Sequence, residues 1–194
     1  MDSLHLNQQK MAHFFYKKPT FIVLILVLAS CSNPTSTVQT NKYFDVKGLV
    51  ENQILVLNKT KPILAKRVIA ADQNNTKASR EIDWAKELEM VLQADLNKPA
   101  YSQSYEIDSV DEVIQYTLKK GENLPVKSLN IAFQGRQKHV KAQFITSNFL
   151  YYSERYAEIW LKDDTLISYK FDGYQQLFFG GKKPFSVDGQ IVGK

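Results

Sequence analysis

The sequence predicts an α+β domain: two N-terminal helices, at about residues 45–58 and 81–95, against a curved antiparallel β-meander of about seven or eight strands. Three observations predict it. Apolar residues recur at helical spacing in two windows before residue 96. From Tyr101 onward the period becomes two. Turn-forming residues then break the chain every ~8–12 residues.

The first helix starts from Asp45, a residue suited to an N-cap, and carries Val46, Leu49, Val50, Ile54 and Leu57 on one stripe. Gly48 inside it costs ~1 kcal/mol relative to alanine. Pro62 opens an extended run, Ile63–Ala70, which ends in the turn-rich Asp72-Gln73-Asn74-Asn75. In the second helix Trp84, Ala85, Leu88, Val91 and Leu92 converge, with Asp83, Lys86, Glu87 and Gln93 on the opposite, solvated side. Acidic residues crowd its first turns, where the helix dipole favours them, and Asn97 and Pro99 stop it. Strands follow around Tyr105 and Ile107, at 113–118, and around Leu129, Ile131 and Phe133. Others lie around Val140, Ala142 and Phe144, at 149–161 and at 166–171. The turns fall at 121–123, 134–137 and Asp163-Asp164, while Gly173, Gly180-Gly181 and Gly189 punctuate two last short strands. Such short connections exclude parallel crossovers.

Composition narrows the class. The 194 residues are 44% hydrophobic and 23% charged, with net charge +5 and one cysteine. That excludes a disordered chain and a multi-span membrane protein. A lone cysteine excludes an internal disulfide framework and any multi-cysteine metal site.

Residues 21–29 are nine consecutive apolar residues, preceded by Lys17 and Lys18 and followed by Ser30. At ~1.5 Å per residue the run covers about half of a ~30 Å hydrocarbon core, too short for a stable span. A positive segment, a short apolar run and a small-residue exit describe a secretory signal. Either Met1 or Met11 serves as its start. The sequence Leu28-Ala29-Ser30-Cys31 resembles the lipobox of bacterial lipoproteins: a leucine, two small residues and a cysteine. The resemblance implies cleavage between Ser30 and Cys31, a diacylglycerol thioether on Cys31 and acylation of the new amine. Two or three acyl chains make such an anchor effectively permanent. The expected organisation is a signal peptide at 1–30, an acylated cysteine with a flexible tether at 31–42, and a single domain at 43–194. Removal of the signal takes away three lysines and one aspartate, so the net charge falls from +5 by two, to +3. That excess demands no nucleic-acid partner, and none is expected. Ser32 follows the cysteine where the enterobacterial sorting rule retains proteins carrying aspartate. By that analogy the chain goes to the outer membrane of a Gram-negative cell and faces the periplasm.

Sites are few. His139 is the single histidine after cleavage, and it lies in Arg136-Gln137-Lys138-His139-Val140-Lys141. No nucleophile motif accompanies it, so it reads as a solvent-facing hairpin histidine. With Lys119 and Lys120, the residues Arg136, Lys138, His139 and Lys141 are a candidate basic patch for anionic head groups or an acidic partner. Glu81, Asp83, Glu87 and Glu89, interspersed with Lys86, read as a solvated helix face. Asp95 falls on the Trp84–Leu88–Val91 stripe and reads as an Asx-turn acceptor. Calcium ligation by Asp95 and Asn97 needs more oxygen ligands than the local sequence offers. There is no phosphate loop, zinc-helix motif or dinucleotide fingerprint, and no catalytic residue, metal or cofactor is assigned.

The mature chain is similar to the single-domain lipoproteins common in Bacteroidota, on Tyr43-Phe44-Asp45, Ile82-Asp83-Trp84 with Glu87-Leu88, Asp95-Leu96-Asn97-Lys98 and Asp188-Gly189-Gln190-Ile191. That group implies no activity. The expectation is a lipid-anchored, non-enzymatic cell-envelope protein whose aromatic-rich sheet binds a partner protein or an apolar ligand. The alternatives are a lipid or lipoprotein carrier resembling the half-barrel proteins of the Lol pathway, and a carboxylate hydrolase working near Asp95.

Overall fold

In the computed structural model, which describes residues 41–70 and 73–193, Asp45 opens the first element. Its carboxylate accepts from the Gly48 amide at 2.8 Å and caps helix α1, Val46–Thr60. A Cβ on residue 48 would sit 2.3 Å from that carboxylate, so glycine is what lets the cap close. Lys61 then turns left-handed at φ 43°, and Pro62 prevents further helix. The buried stripe of α1 is Val46, Val50, Gln53 and Leu57.

Gln53 is the unexpected member, a polar residue 1% exposed. Its Nε2 donates to the Asp164 carbonyl at 2.9 Å, and its Oε1 accepts from the Leu166 amide at 2.8 Å. One amide thus satisfies both backbone groups of a distant turn. Gln53→Leu is expected to lose about 2–3 kcal/mol by leaving both unpaired, measured as a lower urea midpoint. An unchanged midpoint would show that the bridge contributes nothing.

Nine strands follow: β1 Ile63–Ala70, β2 Gln73–Ser79, β3 Tyr105–Val110, β4 Val113–Leu118, β5 Val126–Gln134, β6 Gln137–Ser147, β7 Tyr151–Lys162, β8 Thr165–Leu177 and β9 Lys182–Val192. They form a single antiparallel sheet in the order β2-β1-β9-β8-β7-β6-β5-β4-β3. From β3 to β9 each strand pairs with the next. The hairpin β1–β2 joins the far side by pairing β1 with β9, Leu64 opposite Ile191 and Val68 opposite Val187.

This corrects the expected architecture of two helices against a meander of seven or eight strands. The described residues form a nine-stranded sheet with little helix. The second helix is replaced by two single turns, α2 Trp84–Glu87 and α3 Glu89–Leu92. The cause is the spacing of what must be buried. Trp84, Leu88, Val91 and Ala94 are all under 3% exposed, yet the last three lie three residues apart, tighter than the 3.6-residue turn. The backbone follows with three-residue bonds, Val91 N to Leu88 O and Ala94 N to Val91 O, instead of a continuous α ladder. Strand β2 lies where a turn was expected. Its composition is polar because it is an exposed edge with no layer to pack on, and its pairing with β1 runs from Ala70–Gln73 to Leu64–Ser79. Gly173 and Gly189 do not end strands; both lie inside long ones.

The helical segments cover one face of the sheet, here the inner face. Trp84, Leu88, Val91 and Leu96 join Val50 and Leu57 of α1 over Ile131, Phe144, Ile159, Leu166 and Tyr169. Tyr43 packs edge-on against Tyr105 and Tyr116, with centroids at 5.7 and 5.6 Å. Asn97 ties this N-terminal segment down, accepting from the Tyr43 amide at 2.9 Å and donating to its carbonyl at 3.1 Å. Cys31, Ser30 and the expected signal and tether up to residue 40 lie outside the described residues.

Candidate functional site

Strand alternation decides what the other face carries. On β7, Ser153, Ala157, Ile159 and Leu161 are buried inward, so Tyr152, Glu154, Tyr156, Glu158 and Trp160 point outward. Register sets Gln143 of β6 beside Tyr156, His139 beside Trp160, and Tyr174 of β8 beside Glu154. The outer face of β6–β8 is therefore a row of half-buried aromatic rings with two glutamates between them.

Glu154 is the hub. Its Oε1 accepts from Tyr156 and, at 3.0 Å, from Gln143 Nε2. Its Oε2 accepts from Tyr174 at 3.3 Å and from Tyr152 at 3.5 Å. The Tyr156 hydroxyl first, with Gln143, Tyr174 and Tyr152 behind it, holds the Glu154 carboxyl below the usual carboxylate range. The same bond, with burial and the carboxylate charge, pushes the Tyr156 phenol up. Burial, with Glu154 beside it, does the same to Tyr152. At neutral pH the cluster is one locked anion surrounded by phenolic donors. Rings are locked too: Tyr152 stacks on Tyr174 at 5.8 Å, and Lys182 Nζ stands 4.2 Å over Tyr174.

A second cluster continues along the face. His139 stacks flat on Trp160 at 4.7 Å and 7°. Its Nε2 lies 3.0 Å from Glu158 Oε2, and Lys141 Nζ lies 3.1 Å from Oε1. Beyond Trp160 a cleft of about 420 Å³ opens, lined by Arg67, Thr76, Lys170 and Asp188 among others.

The structure separates the sequence-predicted site residues. Alternation along β6 sends His139 and Lys141 outward, while Lys138 turns inward, its Nζ 5.9 Å over Phe44 and 5.8 Å over Phe133. Lys138 also pairs with Asp164 at 3.0 Å, and Arg136, in the hairpin turn, pairs with Asp163. The basic run is thus divided between faces and neutralised, and Lys119 and Lys120 lie at the opposite end of the strands. Asp95 closes the turn after α3, its Oδ1 accepting from the Asn97 amide at 2.9 Å.

Glu87 departs from the solvated face expected of it. It is 12% exposed, receives the Tyr169 hydroxyl and pairs with Lys66 Nζ at 2.7 Å. Burial and Glu87 together push the Tyr169 phenol far up. Lys66 and Glu87 border a cleft of about 370 Å³, and the trio fastens α2 to β1 and β8. Sequence reasoning missed it because the partners are 21 and 82 residues away from Glu87. It misses the Glu154 hub for a different reason: the alternation Tyr152, Glu154, Tyr156, Glu158, Trp160 is legible, but alternation alone marks 149–161 only as a strand.

Glu154 also sets a pH dependence. A carboxyl lowered in the folded state contributes stability above its unfolded value of about 4.3, and that contribution disappears as pH falls through the lower folded value. Glu154→Gln is therefore expected to flatten the acid limb of a urea-midpoint profile below about pH 4. Parallel acid limbs would show that the network is energetically silent.

Among the described residues there is no cluster of three or more metal-ligating side chains, and no helix long and apolar enough to cross a membrane. No family model matches the chain, and neither a curated protein nor a solved structure matches it.

Proposed function

We propose that this chain is a lipid-anchored, non-enzymatic protein of the cell envelope that binds a partner protein through the outer face of β6–β8. The observation that carries the reading is the Glu154 hub. Interfaces favour tyrosine and tryptophan, which offer large contact areas for little lost rotamer freedom. Here three tyrosines are already fixed on one carboxylate before any partner arrives, which lowers the ordering cost of association. The protonation states support binding over catalysis. An acid–base catalyst works best with a pKa near the operating pH, whereas Glu154 is lowered and Tyr152 and Tyr156 are raised.

Two further facts favour a protein partner over the other expectations. The inner face, where an apolar ligand or a carried lipid would lie, is filled by Trp84, Leu88 and Leu57. Asp95, around which a hydrolase was considered, is spent on the Asn97 amide. The anchor rests on Leu28-Ala29-Ser30-Cys31 and the apolar run before it; the outer membrane facing the periplasm remains the proposed address.

The test is native mass spectrometry of the full chain, extracted gently from the membranes of its own host. The reading predicts an N terminus at Cys31 bearing acyl chains, and a second, protein-sized mass that leaves on denaturation. An intact Leu28–Cys31 peptide would defeat the anchor. A bound lipid-sized mass in place of a protein would defeat the partner reading.

A further inference from the structure

Large apolar side chains gather at one end of the sheet, outside both faces. Phe149 is 84% exposed, Leu150 57%, Leu177 49%, Phe178 74% and Phe179 95%. Leu177 ends β8, and the others belong to two neighbouring hairpin tips, 148–150 between β6 and β7 and 178–181 between β8 and β9, joined by Phe178 N donating to Leu150 O at 2.9 Å. Neither tip carries a charge. Nothing in the fold requires these rings to be apolar, and isolated apolar patches of this kind mark interaction sites.

We infer that these two tips enter the acyl region of the bilayer that carries the chain's anchor. The inference rests on the lipid-anchor reading for its proximity to that bilayer, and on three observations of its own. First, the apolar groups form an apex. Residues exposed by 84% and 95% stand out from the surface, which suits insertion into a fluid phase better than docking against a shaped partner. Second, the apex has a cationic collar. Lys182 and Lys183 follow the second tip directly, and Lys119 and Lys120 lie in the β4–β5 connection at the same end, where Glu122 is the one acidic residue of that connection and Glu106 lies near the start of β3. Anionic head groups attract such lysines, and Tyr151 and Tyr152 occupy the adjoining level where interfacial aromatics sit.

Third, the described chain begins near this end. Register places the start of β3, the end of β4, the end of β6, the start of β7 and the end of β8 together. Lys42 Nζ donates at 2.9 Å to the carbonyl of Ser102, just before β3 begins at Tyr105. Residues 32–41 then separate this point from Cys31. Fully extended at ~3.3–3.6 Å per residue they reach about 35 Å, enough to let the tips meet the membrane and short enough to keep them near it.

The experiment uses the full chain carrying Phe178→Trp, purified from membranes and returned to phosphatidylcholine–phosphatidylglycerol vesicles. Tryptophan emission is compared between ordinary lipids and lipids brominated on the acyl chains, with the unsubstituted chain supplying the background of Trp84 and Trp160. The mass of the N-terminal peptide reports acylation in the same preparation. The expected result is an acylated chain whose added emission is about twofold lower in the brominated vesicles. An acylated, vesicle-bound chain with no added quenching would overturn the tips and leave the anchor standing. An unacylated chain that still binds and is quenched would uphold the tips and overturn the anchor. An unacylated chain that stays off the vesicles would overturn both. Phe178→Ser with Phe179→Ser supplies a second reading: these exposed positions leave folding intact, and the double variant is expected to restore access of residues 148–150 to protease on vesicles. Unchanged protection would count against insertion.

Discussion

Trp84→Ala is expected to destabilise the protein by about 3–5 kcal/mol, the range for emptying a buried aromatic site. Trp84 is 1% exposed and leads the fully buried side chains in size. Its loss does more than leave a cavity. α2 is a single turn, held from its start by Asp83, whose carboxylate accepts from the Lys86 amide at 3.2 Å; that backbone bond, with Lys86 beside it, also lowers the Asp83 carboxyl. Four-residue helices do not stand alone, so α2 and α3 persist because Trp84, Leu88 and Val91 are buried. Urea denaturation of the variant measures the effect. A loss under about 1 kcal/mol would mean that the segment is held mainly by its polar contacts.

Gly189→Ala is expected to lose about 2–4 kcal/mol by overpacking and a broken, partly buried hydrogen bond. A Cβ at this position would lie 2.1 Å from both Cε1 and Cζ of Tyr169. Tyr169 has little room to retreat, being 1% exposed and stacked on Phe171 at 4.8 Å. Moving the ring withdraws its hydroxyl from Glu87, the link between α2 and the sheet. A double-mutant cycle with Tyr169→Leu separates the parts. Because the shorter side chain removes the clash, the two losses are expected to be clearly non-additive. Additive losses would place the cost of Gly189→Ala in the backbone instead.

These two sites show where the sequence speaks and where it does not. Turns are local and were legible. Asp163 and Asp164 take φ 52° and 55°, and Gly135 takes 59°, conformations those residue types accept more readily than most. Alternation in 126–171 likewise reads directly, because strand period is a property of neighbours. The fold class was misread where burial overrode local preference. Trp84, Leu88, Val91 and Ala94 look helical in a list of apolar positions, but the three-residue steps from Leu88 to Ala94 need a tighter winding. Gly189 looks like a break and is instead the space for a ring twenty residues earlier in the chain. Polar β2 has no periodicity to read, since its only requirement is a backbone partner.

The candidate site was legible in a similar way. The lysines and histidine of 136–141 were visible as a run, but β alternation and Asp163-Asp164 divide and neutralise it. Glu154 attracted no notice because a single glutamate in a strand has no motif. Its four donors come from three strands, and only the register of β6, β7 and β8 assembles them.

On the proposed function, this assembled outer face meets a protein. Photo-crosslinking in the host cell tests it most directly, with a benzophenone amino acid placed in the full chain at Tyr174 on the outer face. A parallel chain carries it at Leu55, 71% exposed on α1. The expected result is a discrete protein adduct from position 174, weakened by Glu154→Ala, and none of that mass from position 55. The same adduct from both positions, or none from position 174, would contradict it.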